Sequence, residues 1–296
     1  MLIAAMLVLG ARQHAQLGYQ LHFRDPAAPE ARDDWVRALD RMPEPVFVSF
    51  GNAAYRDLLA NFLCATARFE GMHAHTLLLV LDNASAAHLR RIAPNATVLV
   101  LPETDTPSLH AAHSYGEEGY LWLMRLRGRA LLALLEHSWR HGNRTLVWLE
   151  ADAHYNRNLL ARSEIVQPSG ADVVLARDHG AYAGGFIRFA PSRAAASFYA
   201  AVVQRMARAP GLNDQALLNS VVRSQRHGAR LRTLDPCRYR SGAALLPSFR
   251  RAYARRCGAR HAIVQQHNWR VGADAKVAVA RAEGAWFLAD NNKTCI

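Results

Sequence analysis

Apolar, strand-like segments alternate with helix-like segments over the first third of the chain. In chain order the sequence predicts a strand over 46–50, a helix over 54–69, a strand over 76–81, a helix over 84–92 and a strand over 97–101. A β-α-β-α-β order of this kind implies neighbouring parallel strands joined by right-handed crossovers. The alternation therefore predicts an α/β fold, with helices on the faces of a Rossmann-like, mostly parallel sheet.

The rest of the chain adds further elements to this sheet. The pattern predicts a polar loop over 102–116, a helix over 118–140, strands over 145–149, 172–176 and 186–189, a glycine-bearing loop over 180–185, helices over 191–207 and 215–223, an irregular segment over 226–260 with a short strand at 231–234, and a strand over 261–264. Ligands on open α/β sheets bind at the carboxyl ends of the strands. The polar residues at those ends are therefore the candidates for a site.

The apolar run 145–149 ends abruptly in Glu150-Ala151-Asp152. Alternation along an extended chain places the carboxylates of Glu150 and Asp152 on the same side. Two carboxylates so placed at a sheet edge suit a hard divalent cation. An acidic loop after a buried strand would have the same sequence, so the spacing alone does not decide between the two interpretations.

Other strand ends also carry residues that have one structural and one functional interpretation. Gly51, Asn52 and Asp82 follow the first two strands, where they serve either as turn residues or as part of a nucleotide crevice. Gly184 and Gly185 form either a plain tight turn or a place where a bulky ligand approaches the backbone.

The second half of the chain adds four polar candidates. Asp214 is placed to cap the helix that starts at Gln215, and capping does not account for Gln215 itself. His267 follows the predicted strand 261–264 and is either an ordinary hydrogen-bonded histidine or a metal ligand. Lys276, nine residues further on, offers a cation for phosphate. The arginines of 125–129 lie in the first half of a predicted helix and are either solvated or phosphate-binding.

The net charge of +12 is carried almost wholly by arginine, which suits phosphate-bearing or anionic ligands. The arginines are scattered, without the aromatic-interleaved basic stripe typical of nucleic-acid binding, so no nucleic-acid partner is expected.

Cys64 lies in a predicted helix and is expected to be a free thiol, whereas Cys237 and Cys257 could pair in an oxidising compartment. N-x-S/T sequons at Asn83, Asn95, Asn143 and Asn292 suggest the secretory pathway.

The N-terminal ten residues are apolar but too short to span a bilayer. They are either the remnant of a signal anchor, truncated or missing here, or a buried segment. We expect residues 1–43 to be this apolar segment followed by a polar stem, and residues 44–296 to be a single domain.

Six sequence blocks carry a resemblance to a known family, in order and over about 46–287. They are VFVSFGNAAYRDLLANFLCATARFEG, LLLVLD, LVWLEADAHY, AYAGGFIRFAPS, LNDQALLN, and HNWRVGADAK with Trp286 after it. Together they resemble nucleotide-diphospho-sugar transferases of the plant and algal cell-wall type, such as extensin arabinosyltransferases and pectin xylosyltransferases. Those enzymes are distant relatives of galactosyltransferases with the GT-A fold, so the resemblance implies that fold.

The resemblance also implies a reaction and a set of roles. The chain would move arabinose, xylose or galactose from a UDP-sugar to a glycan or protein acceptor with retention of configuration, in the Golgi lumen. Mn²⁺ or Mg²⁺ would be bound by Glu150, Asp152 and His267 and would bridge the diphosphate. Lys276 and Arg129 would neutralise the phosphates, Asp82 would lie near the nucleotide, and Asp214 and Gln215 would face the anomeric carbon.

One residue departs from the family's D-x-D pattern, because Glu150 stands in place of the first aspartate. The last aspartate of that pattern usually makes the main metal contact, so the resemblance leaves Asp152 able to hold the site. A catalytically inactive nucleotide- or carbohydrate-binding protein on the same fold is the alternative interpretation.

Overall fold

The computed structural model describes residues 37–101, 111, 113, 116–142, 144–167, 170–224, 227–258, 261–289, 291 and 293–296. Its strands are β1 (Val46–Gly51), β2 (Thr76–Val80), β3 (Thr97–Val100), β4 (Leu146–Leu149), β5 (Ala153–Tyr155), β6 (Val173–Asp178), β7 (Ala181–Phe189), β8 (Leu231–Thr233), β9 (Tyr239–Arg240) and β10 (Val264–Gln266). Its α-helices are α1 (Arg56–Ala67), α2 (Asn83–Ile92), α3 (Glu118–His137), α4 (Ser163–Val166), α5 (Arg193–Arg208), α6 (Asp214–Ser224), α7 (Pro247–Cys257) and α8 (Ala273–Ala282).

The larger sheet has seven strands in the order β3-β2-β1-β4-β7-β6-β8. Strands β1 to β4 are mutually parallel where they pair, and β6 pairs in parallel with β8. Strand β7 runs antiparallel to both of its neighbours, β4 and β6. The predicted α/β fold with a mixed, mostly parallel sheet is thus confirmed.

A smaller sheet with the order β5-β10-β9 lies beyond the carboxyl end of β4. Its strands β5 and β10 are antiparallel, so that Ala153 lies opposite Gln266. This pairing brings two segments far apart in sequence, one after residue 150 and one before residue 267, to the same edge of the larger sheet.

Two hydrophobic clusters cover the two faces of the larger sheet. One contains α1, α2 and the small sheet, and the other contains α3, α5 and α6. The central strands are buried on both faces, as expected for parallel strands that are covered by helices. Leu39 and Met42 belong to the second cluster, so part of the segment expected to be a stem packs against the core.

Several local expectations are wrong. Residues 181–185 are not a loop but the first half of β7, because their backbone pairs with β6. The segment expected to be irregular contains α7, which begins at Pro247, and the predicted strand 261–264 is displaced to Val264–Gln266. The apolar segment 1–10 and most of loop 102–116 lie outside the described residues.

The cysteines form two disulfides, Cys64–Cys295 and Cys237–Cys257. The expectation of a free Cys64 thiol is therefore wrong, because the chain's C-terminal segment returns to α1. The pairing of Cys237 with Cys257, which the sequence left open, is present. No helix in the described parts of the chain is long and apolar enough to cross a membrane.

Candidate functional site

A cleft of about 440 Å³ opens at the carboxyl ends of β1 and β4. This volume lies within the range of about 300–1,000 Å³ that small-molecule sites occupy. Eight of the residues singled out in the sequence line it: Gly51, Asn52, Glu150, Asp152, Gly184, Asp214, Gln215 and Lys276.

Arg127 is the central cation of the cleft, and its side chain is 9% exposed. Its Nη1 donates to Glu150 Oε1 at 3.1 Å, its Nη2 donates to Asp214 Oδ2, and its guanidinium lies 5.0 Å from the Trp148 ring. Burial alone would lower the pKa of Arg127, but the carboxylates of Asp214 and Glu150 outweigh burial and raise it. The arginine therefore stays charged and holds two carboxylates from different elements together.

The helical period explains why Arg127 occupies the cleft. Tyr120, Leu123, Met124 and Arg127 follow the i, i+3, i+4, i+7 spacing of one helix face, and all four line the cleft. Arg129 is two residues further, about 200° around the helix, and its side chain is exposed. Arg129, predicted to bind phosphate, therefore does not line the cleft, and Arg127 is the arginine of that cluster that does.

The adjacent glycines of β7 allow acidic side chains to lie against the strand. A Cβ at Gly185 would come within 2.4 Å of Glu150 Oε2, and one at Gly184 would come within 3.3 Å of Asp214 Oδ2. Burial, and next the charge of Asp152, raise the pKa of Glu150, although Arg127 and Lys276 oppose the shift. The carboxylate of Glu150 thus lies between Gly185 and the guanidinium of Arg127.

Asp152, His267 and Lys276 form a second cluster in the site. The backbone N–H of His267 donates to the carbonyl of Asp152 at 2.9 Å, which continues the β5–β10 pairing. Lys276 Nζ lies 2.7 Å from Asp152 Oδ2 and 5.2 Å from the Tyr55 ring centroid. Burial would lower the pKa of Lys276, but the charge of Asp152 raises it above its ordinary value, so the amine remains a cation.

The three predicted metal ligands do not all converge. No group of three or more His, Cys, Asp or Glu side chains able to hold a metal ion occurs among the described residues. Glu150 is instead engaged by Arg127, and its role as a metal ligand stays a prediction. Asp152 Oδ1 and His267 Nε2 are buried and have no hydrogen-bond partner within the described part of the chain. Burial lowers the pKa of His267, which favours the neutral imidazole that binds metals.

Asp152 Oδ1, which lines the cleft, suits a hard cation that takes its other ligands from a substrate and from water, whereas His267 lines a neighbouring pocket. Mg²⁺ is commonly held in this way, by one or two protein ligands together with phosphate oxygens. Asp82, by contrast, does not line the cleft. Its Oδ1 accepts from the backbone N–H of Ser85 at 2.7 Å and caps α2, a local structural role that neither of the two interpretations from the sequence included.

Sequence reasoning missed Asp178, at the end of β6, which lines the cleft and is buried. Its Oδ2 accepts from Gln215 Nε2 at 3.0 Å, and Gln215 Oε1 accepts from the backbone N–H of Gly184 at 3.3 Å. Gln215 is thereby oriented by two hydrogen bonds. The available signal was the position of Asp178 after a buried strand, which is the same signal that singled out Glu150 and Asp152.

Comparison with known proteins places this geometry in context. The family model for nucleotide-diphospho-sugar transferases matches residues 71–279. Among solved structures, the glycosyltransferase GlyE of Streptococcus pneumoniae TIGR4 is similar in fold, with a TM-score of 0.52 at 10% sequence identity. The match covers 82% of this chain but only 64% of the GlyE chain.

No curated protein matches the sequence significantly. The family model covers well over half of the chain, and the GT-A-like fold agrees with it. This chain belongs to the nucleotide-diphospho-sugar transferase family.

Proposed function

We propose that the protein transfers a sugar of the arabinose, xylose or galactose class from a UDP-sugar to a glycan or glycoprotein, with Mn²⁺ or Mg²⁺ and with retention of configuration. The observation that carries the proposal is the arrangement of the cleft. A cationic lysine, the unpartnered Asp152 Oδ1 and an arginine-held carboxylate line one cavity at the carboxyl edge of the sheet, and His267, with its unpartnered Nε2, lines a neighbouring pocket. Such an edge is where nucleotide ligands bind in α/β folds.

The diphosphate is assigned to the Asp152 end of the cleft. Asp152 and His267 would hold the divalent cation, and this ion would act as a Lewis acid that stabilises the charge of the leaving diphosphate. Lys276 pairs with Asp152 and lines the same cleft, where its amine would neutralise phosphate oxygens. Burial of Lys276 strengthens its attraction for phosphate, because a low-dielectric surrounding screens charges less than water does.

The donor sugar is assigned to the Gly184 end. Gly184 lines the cleft, and Asp214 and Gln215 pack against it from the start of α6. The ion pair with Arg127 keeps Asp214 fixed in position, and the hydrogen bonds of Gln215 fix its amide. A fixed carboxylate or amide oxygen beside the anomeric carbon would stabilise positive charge as the glycosidic bond breaks, which is what a retaining reaction needs.

A metal titration combined with a hydrolysis assay tests this assignment. The Asp152→Ala variant should lose Mn²⁺ binding, as measured by electron paramagnetic resonance in the presence of UDP. Its rate of UDP-sugar hydrolysis should fall by about 10²-fold or more. Glu150→Gln should keep Mn²⁺ binding but lose turnover, because it weakens the hold on Arg127. Glu70→Ala, an exposed carboxylate outside the cleft, is the matched control. Equal Mn²⁺ binding and hydrolysis in wild type and Asp152→Ala would contradict the proposal.

A catalytically inactive binding protein is the second candidate. The observation that favours it is the engagement of Glu150 by Arg127, which leaves two protein atoms rather than three for a metal. It predicts that the wild-type protein binds UDP and Mn²⁺ but hydrolyses no UDP-sugar. The same assay therefore separates the two functions.

For the compartment, we propose the secretory pathway, and the Golgi lumen within it. Two disulfides support this, because disulfides persist mainly in oxidising compartments. Two of the sequon asparagines, Asn83 and Asn95, are exposed, and the other two, Asn143 and Asn292, lie outside the described residues. Glycosidase treatment of the protein expressed in eukaryotic cells, followed by mass spectrometry, would test for glycans at Asn83 and Asn95.

A further inference from the structure

A tryptophan stands partly exposed at the mouth of the cleft. Trp269 is 42% exposed and lines the cavity on the side of Asn268 and Asp178. Tryptophan is highly buried on average, and exposed aromatic surface beside a cavity is typical of a binding site. Its exposure is therefore unlike that of Leu212, which is 53% exposed but does not line the cleft.

The Trp269 ring is held in a fixed orientation. Its Nε1 donates to Asp178 Oδ1 at 2.7 Å. The other oxygen of Asp178 accepts from Gln215 Nε2 at 3.0 Å and from Asn268 Nδ2 at 3.3 Å. Asn268 Oδ1 in turn accepts from the backbone N–H of Gly242 at 2.7 Å. One buried carboxylate therefore links the exposed ring to Gln215, the residue assigned to the anomeric carbon.

Two further rings pack beside Trp269 without lining the cleft, and we call Trp269, His179 and Phe249 together the aromatic wall. The His179 ring lies 4.1 Å from Phe249 and 6.4 Å from Trp269 between centroids, and Phe249 lies 6.1 Å from Trp269. His179 adopts a φ of 38°, a left-handed conformation that few non-glycine residues adopt. Phe249 belongs to α7, whose last residue, Cys257, is joined to Cys237. The wall is thus assembled from three separate segments.

The sheet order places the wall away from the nucleotide end. Asp178 ends β6, and β6 is separated from β1 by β7 and β4. Three strand spacings correspond to about 14 Å across the sheet. Gly51, Asn52 and Tyr55, which border the cleft near β1, are therefore on the opposite side from the wall. An occupant of the wall lies beyond the donor sugar rather than on the nucleotide.

We propose that the aromatic wall is the acceptor subsite and that Trp269 stacks against a sugar ring of a carbohydrate acceptor. This inference rests on the proposed function. A sugar ring has one face of C–H groups and an edge of hydroxyl groups. A flat indole offers the C–H face an apolar surface, and the polar rim around Asp178 and Asn268 offers partners to the hydroxyls. The link through Asp178 to Gln215 sets the stacked ring beside the reacting carbon.

The test measures saccharide binding and nucleotide binding separately. The probes are methyl and p-nitrophenyl glycosides and short oligosaccharides of arabinose, xylose and galactose, in the presence of UDP and Mn²⁺. Saturation-transfer NMR should show contact between the wild-type protein and the ring C–H protons of at least one probe. Trp269→Ala should weaken that saccharide's affinity by about tenfold or more, with Trp269→Phe in between. The loss of UDP affinity, measured by calorimetry, should be several-fold smaller. Leu212→Ala, the matched exposed control, should bind like wild type.

Each contrary result has a distinct meaning. If no probe contacts the wild-type protein while UDP binds, a carbohydrate occupant is wrong. Equal losses of saccharide and UDP affinity in Trp269→Ala would place Trp269 in the nucleotide site and overturn the inference. Saccharide affinity unchanged in Trp269→Ala would also overturn it. Failure of the proposed function would appear differently, as a wild-type protein that binds no UDP with or without Mn²⁺.

Discussion

At the scale of single residues, the site is organised by pairs of opposite charge. Arg127 holds Glu150 and Asp214, and Lys276 holds Asp152. A carboxylate buried without a partner would be costly, and its usual response is to take up a proton. The paired cations keep these carboxylates buried beside the sheet edge. The glutamate at position 150, one methylene longer than an aspartate, lies in the space that Gly185 leaves open.

This packing makes Gly185→Ala an informative variant. An alanine Cβ would meet Glu150 Oε2 at 2.4 Å and would displace the carboxylate from Arg127. Since the displaced group is the end of a flexible side chain, the free energy of unfolding should fall by only about 1 kcal/mol. UDP-sugar hydrolysis should fall by about tenfold or more, because Arg127 loses one of its two anchors. Gly211→Ala is the control, since nothing described lies within 4 Å of its Cβ. Unchanged hydrolysis in Gly185→Ala would contradict a role for the Glu150–Arg127 contact.

At the scale of elements, the sequence predicted best where one periodicity dominates. The strands β1, β2, β3 and β4 and the helices between them lie close to their predicted positions, because uninterrupted apolar runs and a helical period leave few alternatives. The predicted cleft residues at these strand ends follow directly from that topology. Strand β7 was missed at its start, since adjacent glycines usually break a strand and only pairing with β6 keeps them in the sheet.

Contacts between distant elements account for the rest of the differences. Choosing Arg127 over Arg129 required the orientation of α3 on the sheet, and the role of Glu150 required the position of Gly185. The Cys64–Cys295 disulfide required knowing that the C-terminal segment returns to α1. Such information depends on tertiary packing and is absent from local sequence patterns.

Asp172, just before β6, connects several elements through its carboxylate. The pKa of this carboxylate leads to a prediction of how stability depends on pH. Its carboxylate accepts from Ser192 Oγ at 2.8 Å, at the N-cap of α5, and from the backbone N–H of Arg230 at 2.9 Å, before β8. Burial alone would raise the pKa of Asp172, but the hydrogen bonds from Arg230 and Ser192 outweigh burial and lower it below 3.8. The stabilisation is therefore fully present above pH 3.8 and is lost as the pH falls through the folded-state pKa.

Asp172→Asn should lower the free energy of unfolding by about 1–3 kcal/mol at pH 7. Urea unfolding at pH 7, 5 and 3 should show the same difference from wild type at the first two values and a smaller difference at pH 3. Glu70→Gln, an exposed control, should change stability by less than about 0.5 kcal/mol at each pH. A difference that grows toward pH 3 would refute the assigned pKa direction.

At the scale of the whole molecule, the C-terminal segment ties α8 back to α1. Asn61 in α1 donates to the carbonyl of Ala285 at 3.0 Å and accepts from the backbone N–H of Phe287 at 2.6 Å. Cys64, one helical turn further, is joined to Cys295. Both contacts lie on the face of α1 that the segment covers, and the segment directly follows α8, which carries Lys276. The position of Lys276 thus depends on contacts between residues that lie 224 to 231 positions apart in the chain.

Removing this covalent link should destabilise the whole fold. The Cys64→Ala, Cys295→Ala double variant opens a loop closed across 231 residues, and the free energy of unfolding should fall by about 2–5 kcal/mol. Differential scanning calorimetry should show a lower melting temperature for the double variant. Maleimide labelling of unfolded, unreduced protein should modify no cysteine in the wild type. In the single variant Cys64→Ala it should modify one, Cys295. A free thiol in unreduced wild-type protein, or an unchanged melting temperature in the double variant, would show that the segment is held by its hydrogen bonds and packing alone.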